Sequence, residues 1–376
     1  MNLFDRWSSE LDRLTQENRR RSLQAPIGID FSSNDYLGYS KRTPRAGSVS
    51  DGLSRSGTAS RLLSGQHPIW DEVESKLAAW HHADAALIMT NGYAANEGLL
   101  STIIASGDTC FSDQHNHASI IDGLRLSKAE KIIFPHNDVN ALEAMMRQRM
   151  RSRAAKQAWF IVTESLFGME GDVAPLRELA ALAERHDAHL IVDEAHATGC
   201  FGAAGSGLVD ALALRDQVLA SVHTGGKALA VPGAYIVGSR LLKDLLINRC
   251  RQLMFTTALP PQIAAWWLDA LDLVCRDEAS RTALHERARV FRAELHDRGF
   301  AVGGTHYIAS IVLGPDALAL RAARCLQEAG FDVRSIRPPT VAEGTARLRV
   351  SIHADHDVAV LRRLAEALRA AVSAKV

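Results

Sequence analysis

The sequence predicts an α/β protein with a mainly parallel β-sheet and a second, smaller α+β domain. Three observations favour this fold class. Short apolar runs alternate with helix-length segments between residues 85 and 238, as they do in a series of βαβ units. A mostly helical stretch follows, and a separate rhythm of strand and helix patterns begins near residue 300. The composition is that of a globular protein, with 47% hydrophobic and 23% charged residues.

Seven apolar runs are the candidate strands of the large sheet. They occupy residues 85–89, 108–111, 131–134, 159–163, 189–193, 218–223 and 234–238. Helix-length segments separate most of them, which is typical of parallel strands. Only residues 224–233 separate the last two runs, whereas a parallel crossover needs about a dozen residues or more. The last strand is therefore predicted to be antiparallel to its neighbour.

Helical spacing marks two helices before the sheet. The first is an amphipathic helix over residues 2–20, whose apolar positions are Leu3, Phe4, Trp7, Leu11 and Leu14. The second is expected to begin at Pro68, because proline is favoured in the first turn of a helix. The side chains that it should bury are Ile69, Val73, Leu77 and Trp80.

The part of the chain beyond the sheet is expected to form helices near 241–252, 260–276 and 281–298. We then expect strands at 307–313, 331–336 and 346–352, with helices at 316–329 and 356–372. These patterns divide the chain into three regions. They are an N-terminal helix with a connecting segment (1–45), a large α/β domain (46–255) and a C-terminal α+β domain (256–376).

Charge and cysteine usage exclude several classes of protein. Lys+Arg and Asp+Glu both number 43, and this zero net charge argues against a nucleic-acid partner. The sequence has no apolar stretch of about 20 residues that could span a bilayer, and its start lacks a signal-peptide pattern. A cytoplasmic protein without a membrane partner is therefore expected. The five cysteines form no C-x-x-C pair, so neither a disulfide framework nor a metal site is predicted.

Chemically useful residues follow four of the predicted strands. Asp193 ends one run and His196 follows it, and Lys227 follows the next run in Thr224-Gly225-Gly226-Lys227. Gly92 and Tyr93 open a helix after the first run, and His117 follows the second. Taken singly, each has a simpler interpretation as a cap, a turn or a solvated charge. Taken together they predict one site, because ligands of open α/β sheets bind beyond the carboxyl ends of the strands.

This set of residues matches the requirements of pyridoxal phosphate. A helix N-terminus binds a phosphate, a lysine amine forms a Schiff base with an aldehyde, and a carboxylate keeps a pyridine nitrogen protonated. The competing interpretation is a dinucleotide site. No G-x-G-x-x-G follows a strand, however, and the sequence has no G-x-x-x-x-G-K-[ST] loop. Pyridoxal phosphate is therefore the predicted cofactor, and no metal is expected.

Five motifs resemble those of the α-oxoamine synthases, which are pyridoxal-phosphate enzymes of fold type I. They are Asn34-Asp35-Tyr36-Leu37-Gly38, the segment from Thr58 to Gly65, Asn116-His117-Ala118-Ser119, Val192-Asp193-Glu194-Ala195-His196 and Thr224-Gly225-Gly226-Lys227. The resemblance runs from Phe31 to about residue 356. It implies a seven-stranded, mainly parallel sheet with one antiparallel strand, and a homodimer.

The segment from Ile336 to Arg349, with its Pro338-Pro339 pair, most resembles one branch of this family. That branch condenses L-alanine with a pimeloyl thioester, carried by CoA or by an acyl-carrier protein, and releases CO2 in an early step of biotin synthesis. The resemblance thus implies an acyltransferase. The alternatives are a sister enzyme such as glycine C-acetyltransferase or a synthase with a longer acyl thioester, a fold type I aminotransferase, and a non-catalytic cofactor-binding regulator.

The resemblance also implies roles for individual residues. Lys227 would bind the cofactor aldehyde and move protons at the alanine Cα, Asp193 would pair with the pyridine nitrogen, and His117 would stack on the ring. His196 would contact the ring oxygen, and Gly92, Tyr93 and Thr224 would hold the phosphate. The substrate-binding candidates are Arg19, Asn34, Thr340 and Arg349. The sequence departs from the family at Gly168, where a serine is common.

Overall fold

The computed structural model describes residues 2–42 and 52–373. They form two compact units. The large unit comprises Leu37–Gly168 and Val173–Arg281, and the small unit comprises Met1–Tyr36, Met169–Asp172 and Thr282–Val376. The predicted boundary between residues 45 and 46 lies outside the described residues, and the expected division at residue 256 stays a prediction.

The helices and strands are numbered in chain order. The helices are α1 (Leu3–Gln16), α2 (Pro68–Trp80), α3 (Gly92–Ile103), α4 (Ala118–Ser127), α5 (Val139–Met150), α6 (Leu176–Arg185), α7 (Leu208–Ala211), α8 (Arg240–Arg249), α9 (Arg251–Met254), α10 (Pro261–Val274), α11 (Glu278–Asp297), α12 (Asp316–Glu328) and α13 (Val358–Ser373). The strands are β1 (Ile29–Asp30), β2 (Ala85–Met89), β3 (Thr109–Asp113), β4 (Glu130–Phe134), β5 (Trp159–Glu164), β6 (His189–Asp193), β7 (Val218–Thr224), β8 (Ala234–Gly238), β9 (Ile308–Gly314), β10 (Phe331–Asp332), β11 (Arg334–Ile336) and β12 (Ala346–Ser351).

The sheet of the large unit has seven strands in the order β2-β8-β7-β6-β5-β3-β4. All seven predicted runs are strands of this sheet. β8 is antiparallel to both of its neighbours, β2 and β7, and the remaining pairs are parallel. The predicted fold class and the antiparallel last strand are therefore confirmed.

Burial explains why the central strands are apolar along their whole length. Every residue of β5 is buried, and so are the last four residues of β6, because helices cover both faces of a parallel sheet. One core cluster joins strand residues such as Val162, Ile191 and Ile236 to Leu99 of α3 and Ile120 of α4. The sheet and these two helices thus form a continuous packed layer.

Helix α2 begins at Pro68 as predicted, and the His67 side chain caps it by accepting a hydrogen bond from the Ile69 amide. Its expected apolar face is buried, at Ile69, Val73, Leu77 and Trp80. Helix α1 differs, because it ends at Gln16 and buries no side chain within this chain. No helix in the described residues is both long enough and apolar enough to cross a membrane.

The small unit contains a three-stranded antiparallel sheet in the order β11-β12-β9. The single strand expected at 331–336 is wrong, because the chain turns at Val333, whose amide donates to the Phe331 carbonyl. This three-residue turn is typical of strand ends. It separates β10, which pairs in parallel with β1, from β11.

The packed layer predicts a large cost for truncating Leu99, which is fully buried in the core cluster. Leu99→Ala is expected to lower the free energy of unfolding by about 2–5 kcal/mol, because it leaves a cavity. Leu241 on α8 is 79% exposed, and Leu241→Ala should change the stability by no more than about 0.5 kcal/mol. Urea unfolding followed by circular dichroism measures both, and equal losses would contradict the assigned core.

Candidate active site

The site lies where three neighbouring parallel strands of the large unit end. Glu164 is the last residue of β5, Asp193 of β6 and Thr224 of β7. Glu164 and Asp193 are also register partners in the sheet. Parallel pairing therefore places three polar side chains at one edge.

A cavity of about 200 Å³ opens at this edge. The residues that line it are Gly92, Tyr93, Asn96, His117, Ser119, Glu164, Asp193, Ala195, His196, Thr224 and Lys227. All seven residues that were predicted to bind the cofactor are among them. The structure thus brings together predicted residues that lie at or beyond the ends of four strands, β2, β3, β6 and β7.

The Asp193 carboxylate is buried but well supplied with hydrogen bonds. Its Oδ1 accepts the Ala195 amide at 2.8 Å, and its Oδ2 accepts Asn96 Nδ2 at 2.6 Å. Bonds of this kind to a carboxylate are charge-assisted and strong. These two hydrogen bonds fix the orientation of the Asp193 carboxyl group at the cavity lining.

The same Asn96 amide fixes the orientation of His117. Asn96 Nδ2 donates to Ser119 Oγ at 3.0 Å, and Ser119 contacts His117 Nδ1 through its amide at 3.2 Å and its hydroxyl at 2.8 Å. Because Nδ1 accepts the amide hydrogen, the proton of the neutral ring lies on Nε2. Burial lowers the pKa of His117, the Asp193 charge opposes this, and the Lys227 charge lowers it further. The imidazole that faces the cavity is therefore neutral.

Lys227 and His196 form the reactive pair of the cavity. Lys227 Nζ lies 2.8 Å from His196 Nε2. An ammonium has only hydrogens to offer, so a protonated Lys227 donates to His196 Nε2, and the proton of the neutral ring then lies on Nδ1. His196 is buried, and Lys227 is only partly so.

The first turn of α3 forms an anion-binding corner of the cavity. Asn91 caps the helix by accepting the Ala94 amide at 2.8 Å, which leaves the amides of Gly92 and Tyr93 at the helix N-terminus. Thr224 lies beside them: its hydroxyl donates to the Gly233 carbonyl at 3.3 Å and accepts the Gly226 amide at 3.4 Å. A Cβ on Gly92 would lie 3.8 Å from Thr224 Oγ1, so backbone and hydroxyl are close enough to serve one phosphate.

These residues fit pyridoxal phosphate. The cavity supplies a lysine amine for the aldehyde, a hydrogen-bonded carboxylate for the ring nitrogen, a neutral imidazole for the ring face and helix amides for the phosphate. The predicted cofactor therefore matches the donor set that the fold assembles.

Two of the predicted substrate-binding residues meet in the small unit. Asn34 follows β1, and Arg349 lies on β12, where it is buried. Arg349 Nη2 donates to Asn34 Oδ1 at 2.9 Å, and Nη1 donates to Ser351 Oγ at 2.8 Å. The Tyr36 hydroxyl also donates to Asn34 Oδ1, at 2.9 Å. With Oδ1 occupied by two donors, the Asn34 Nδ2 group is the part that can donate to a ligand.

The other two predicted substrate residues lie in different contacts of the small unit. Arg19 donates to Asp316 at 2.8 Å and to Glu343 at 3.0 Å. Thr340 instead accepts from Arg21, at 3.1 Å. The guanidinium beside Thr340 is thus that of Arg21, and the role assigned to Arg19 stays a prediction.

One group of possible metal ligands occurs elsewhere in the small unit. His353, Asp355 and His356 offer ligand atoms within 4.8 Å of one another. The ring nitrogens of His356 already serve the backbone, since Nδ1 accepts the His353 amide at 3.0 Å and Nε2 lies 2.8 Å from the Asp30 carbonyl. This cluster therefore stabilises the chain around β1 rather than offering free ligands.

Sequence reasoning missed three polar side chains that line the cavity, Asn96, Ser119 and Glu164, as well as Ala195. Ser119 belongs to a recognised motif, and Asn96 lies one turn after Gly92 on the same helix. These two positions in the sequence could have predicted that Ser119 and Asn96 belong to the site. Burial, followed by the Asp193 charge, raises the pKa of Glu164, so this third acid is held in its neutral form.

Residues 26–368 match the aminotransferase class I and II family. This match, the sheet order and the Lys227–Asp193 cavity define the class of protein: the chain belongs to the pyridoxal-phosphate enzymes of fold type I.

Proteins of similar sequence identify the branch of fold type I to which the chain belongs. An 8-amino-7-oxononanoate synthase of Anaeromyxobacter dehalogenans (strain 2CP-1) is 42% identical, over 96% of this chain and 94% of that protein. Another, from Chlorobaculum parvum, is 39% identical over 95% and 93%. Within fold type I, the chain therefore belongs to the α-oxoamine synthases, in the family of the 8-amino-7-oxononanoate synthases.

Solved structures agree with this placement. A serine palmitoyltransferase of Sphingomonas wittichii has a TM-score of 0.90 at 27% identity, covering 99% of this chain and 98% of that one. An 8-amino-7-oxononanoate synthase of Francisella tularensis has a TM-score of 0.76 at 26% identity, covering 91% and 97%. Another similar structure is a serine palmitoyltransferase with pyridoxal phosphate bound, at a TM-score of 0.88 and 28% identity over 98% and 97%. The predicted family and cofactor are thus confirmed.

Glu194, the residue after Asp193, is buried, and this burial predicts a pH dependence of stability. Its Oε1 accepts the Leu208 amide at 2.7 Å and the Val209 amide at 3.2 Å, and burial raises its pKa from 4.5 to about 7. Between pH 4.5 and 7 the folded chain keeps a proton that the unfolded chain loses. Glu194 therefore makes the protein less stable as the pH rises through this window, by up to about 1.4 kcal/mol per pH unit.

Glu194→Gln should remove this contribution, because the amide cannot titrate and its oxygen can still accept the two backbone amides. The melting temperature of the variant relative to the native chain is expected to rise between pH 5 and pH 8. Glu178→Gln, at an exposed position of α6, is the matched control and should run parallel to the native chain. A constant offset for Glu194→Gln across this range would show that Glu194 does not hold the proton.

Proposed function

We propose that the protein condenses L-alanine with a pimeloyl thioester and releases CO2 and free thiol, giving 8-amino-7-oxononanoate for biotin synthesis. One observation carries the proposal. A single cavity holds the Lys227 amine, the buried Asp193 carboxylate and the neutral His117 ring. The names of the relatives described above support the choice of reaction among those that such a cavity could catalyse.

The bound cofactor supplies an electron sink for negative charge at the amino-acid Cα. Asp193 would hold its ring nitrogen, and the amides of Gly92 and Tyr93 with the Thr224 hydroxyl would hold its phosphate. His117 would lie on the ring and contact substrate, and His196 would serve the ring oxygen. These assignments use groups whose orientation is already fixed by hydrogen bonds.

Lys227 would move the proton at the alanine Cα. A lysine can do so only as a neutral amine, and its contact with the imidazole of His196, 2.8 Å away, offers an acceptor for the excess proton. His117 is neutral because it is buried, so it adds no positive charge beside the amine. The cavity therefore favours proton transfer by Lys227.

Other residues predicted from the sequence would contact the substrates. Asn34 Nδ2 and the planar guanidinium of Arg349 suit the carboxylate of alanine, and Thr340 would contact the acyl substrate. The distal carboxylate of pimelate requires a cation, for which Arg19 is the candidate from the sequence. Arg19 already contacts three acidic side chains, Glu17, Asp316 and Glu343, so Arg21, beside Thr340, is the second candidate. We further propose that CoA or an acyl-carrier protein is the thiol carrier and that the enzyme is a homodimer.

A second candidate function is a sister synthase that uses a longer acyl thioester. The observation that favours it is the TM-score of 0.90 with a serine palmitoyltransferase. Both candidates use the same cavity and differ only in the amino acid and the acyl chain.

A panel of substrates decides between them. We expect the purified protein, loaded with pyridoxal phosphate, to release thiol with L-alanine and pimeloyl thioester, and little with glycine, serine, acetyl-CoA or palmitoyl-CoA. Release only with serine and palmitoyl-CoA would favour the second candidate. Absence of thiol release with every pair, together with keto-acid-dependent turnover of alanine, would indicate an aminotransferase.

Two variants test the assigned roles. Lys227→Ala should abolish turnover and the visible absorption band of the bound cofactor, because the amine that binds the aldehyde is gone. Asp193→Asn should lower turnover at least about 100-fold, as expected for losing an electrostatic partner of the reacting group, while cofactor binding falls far less. Lys131→Ala, at an exposed position of β4, is the control. Retained turnover in Lys227→Ala would refute the assignment.

A further inference from the structure

We propose that Gly168 is a positioning residue of the cavity: its lack of a side chain lets the His196 ring lie against the backbone, where Nε2 reaches the Lys227 amine. The proposal concerns cofactor binding, and it holds for either acyl substrate.

The clearance between Gly168 and His196 leaves no room for a Cβ. An ideal Cβ built on Gly168 would lie 2.3 Å from His196 Nε2, 2.8 Å from Cε1 and 2.9 Å from Cδ2. Real Cβ atoms essentially never approach other heavy atoms closer than 3.0 Å. The whole edge of the ring therefore occupies the place of a side chain at position 168.

The backbone conformation does not itself demand glycine. Gly168 does not have the positive φ that favours glycine. The steric reason for glycine at this position is thus the imidazole of His196.

The backbone at position 168 is poorly placed to retreat from an added methyl group. The Gly168 amide faces Glu164 Oε2 at 3.4 Å, and Glu164 is fixed at the buried end of β5. The preceding residue, Phe167, is fully buried and packs edge-on against His136 with ring centroids 4.5 Å apart. His196, by contrast, faces a cavity of about 200 Å³. A side chain at position 168 should therefore displace the ring rather than the loop.

Displacing the ring would break the contact of 2.8 Å between His196 Nε2 and Lys227 Nζ. That contact aims the amine and gives it an acceptor, both of which favour its reaction with an aldehyde. Gly168 thus acts on Lys227 through His196, without touching Lys227 itself. In this chain the His196 ring occupies the space that a side chain at position 168 would need.

A double-mutant cycle tests the proposal with cofactor affinity as its readout. The four proteins are the native chain, Gly168→Ala, His196→Ala and the double variant, each titrated with pyridoxal phosphate and followed by its absorption band. We expect Gly168→Ala to raise the Kd about 10-fold in the native chain, within the coupling seen for contacting residues. In the His196→Ala background the same change should alter the Kd less than about 2-fold, because the clash is gone.

Melting temperatures of the four cofactor-free proteins complete the cycle. If Gly168→Ala destabilises the chain, removing the imidazole should restore the melting temperature to that of His196→Ala alone. An unchanged Kd in Gly168→Ala, or an equal loss in both backgrounds, would overturn the proposal. Neither alanine nor a thioester enters these measurements, so a failed substrate panel leaves their result intact.

Discussion

Burial of the Asp193 carboxylate is the constraint on which the rest of the site depends. A buried charge is tolerated only when hydrogen bonds replace its lost water. Here the Ala195 amide and the Asn96 side chain do so, and Asn96 passes its second hydrogen to Ser119, which in turn orients His117. The hydrogen bonds that stabilise the buried Asp193 carboxylate therefore also help to fix the tautomer of His117. Helices α3 and α4, which carry these side chains, are held in register with β6 by polar contacts as well as by the apolar core.

The charge balance of the cavity follows from the same burial. Three acidic side chains, Glu164, Asp193 and Glu194, are buried at the ends of β5 and β6. Burial raises the pKa of Glu164 and of Glu194, so these two hold their protons more readily than free carboxyls do. Protons retained on Glu164 and Glu194 spare this region two further buried charges.

Much of the fold and of the cavity could be predicted from the sequence, and the features that were missed were missed for physical reasons. The seven apolar runs and the short link before β8 predicted the sheet, since buried parallel strands are continuous apolar segments and ten residues are too few for a crossover. The strand-end motifs predicted the cavity, since parallel strands present their carboxyl ends together. Asn96 and Glu164 were not predicted as site residues. From sequence alone, a polar residue inside a helix or at a strand end cannot be distinguished from a solvent-exposed one until its partner is known. The break between β10 and β11 at Val333 was not predicted, because a three-residue turn does not interrupt the pattern of residues that predicts a strand.

The place of β8 in the sheet sets an order on folding. β2 lies at the edge of the sheet with β8 as its partner, and the register joins Ala85 to Gly238. The same register joins Met89 to Ala234, so β2 has no partner in β8 until the chain has been synthesised as far as Ala234. The connection that follows β2 carries Gly92 and Tyr93. The corner formed by Gly92, Tyr93 and Thr224 therefore unites residues made before and after the parallel strands β3 to β6, because Thr224 is the last residue of β7.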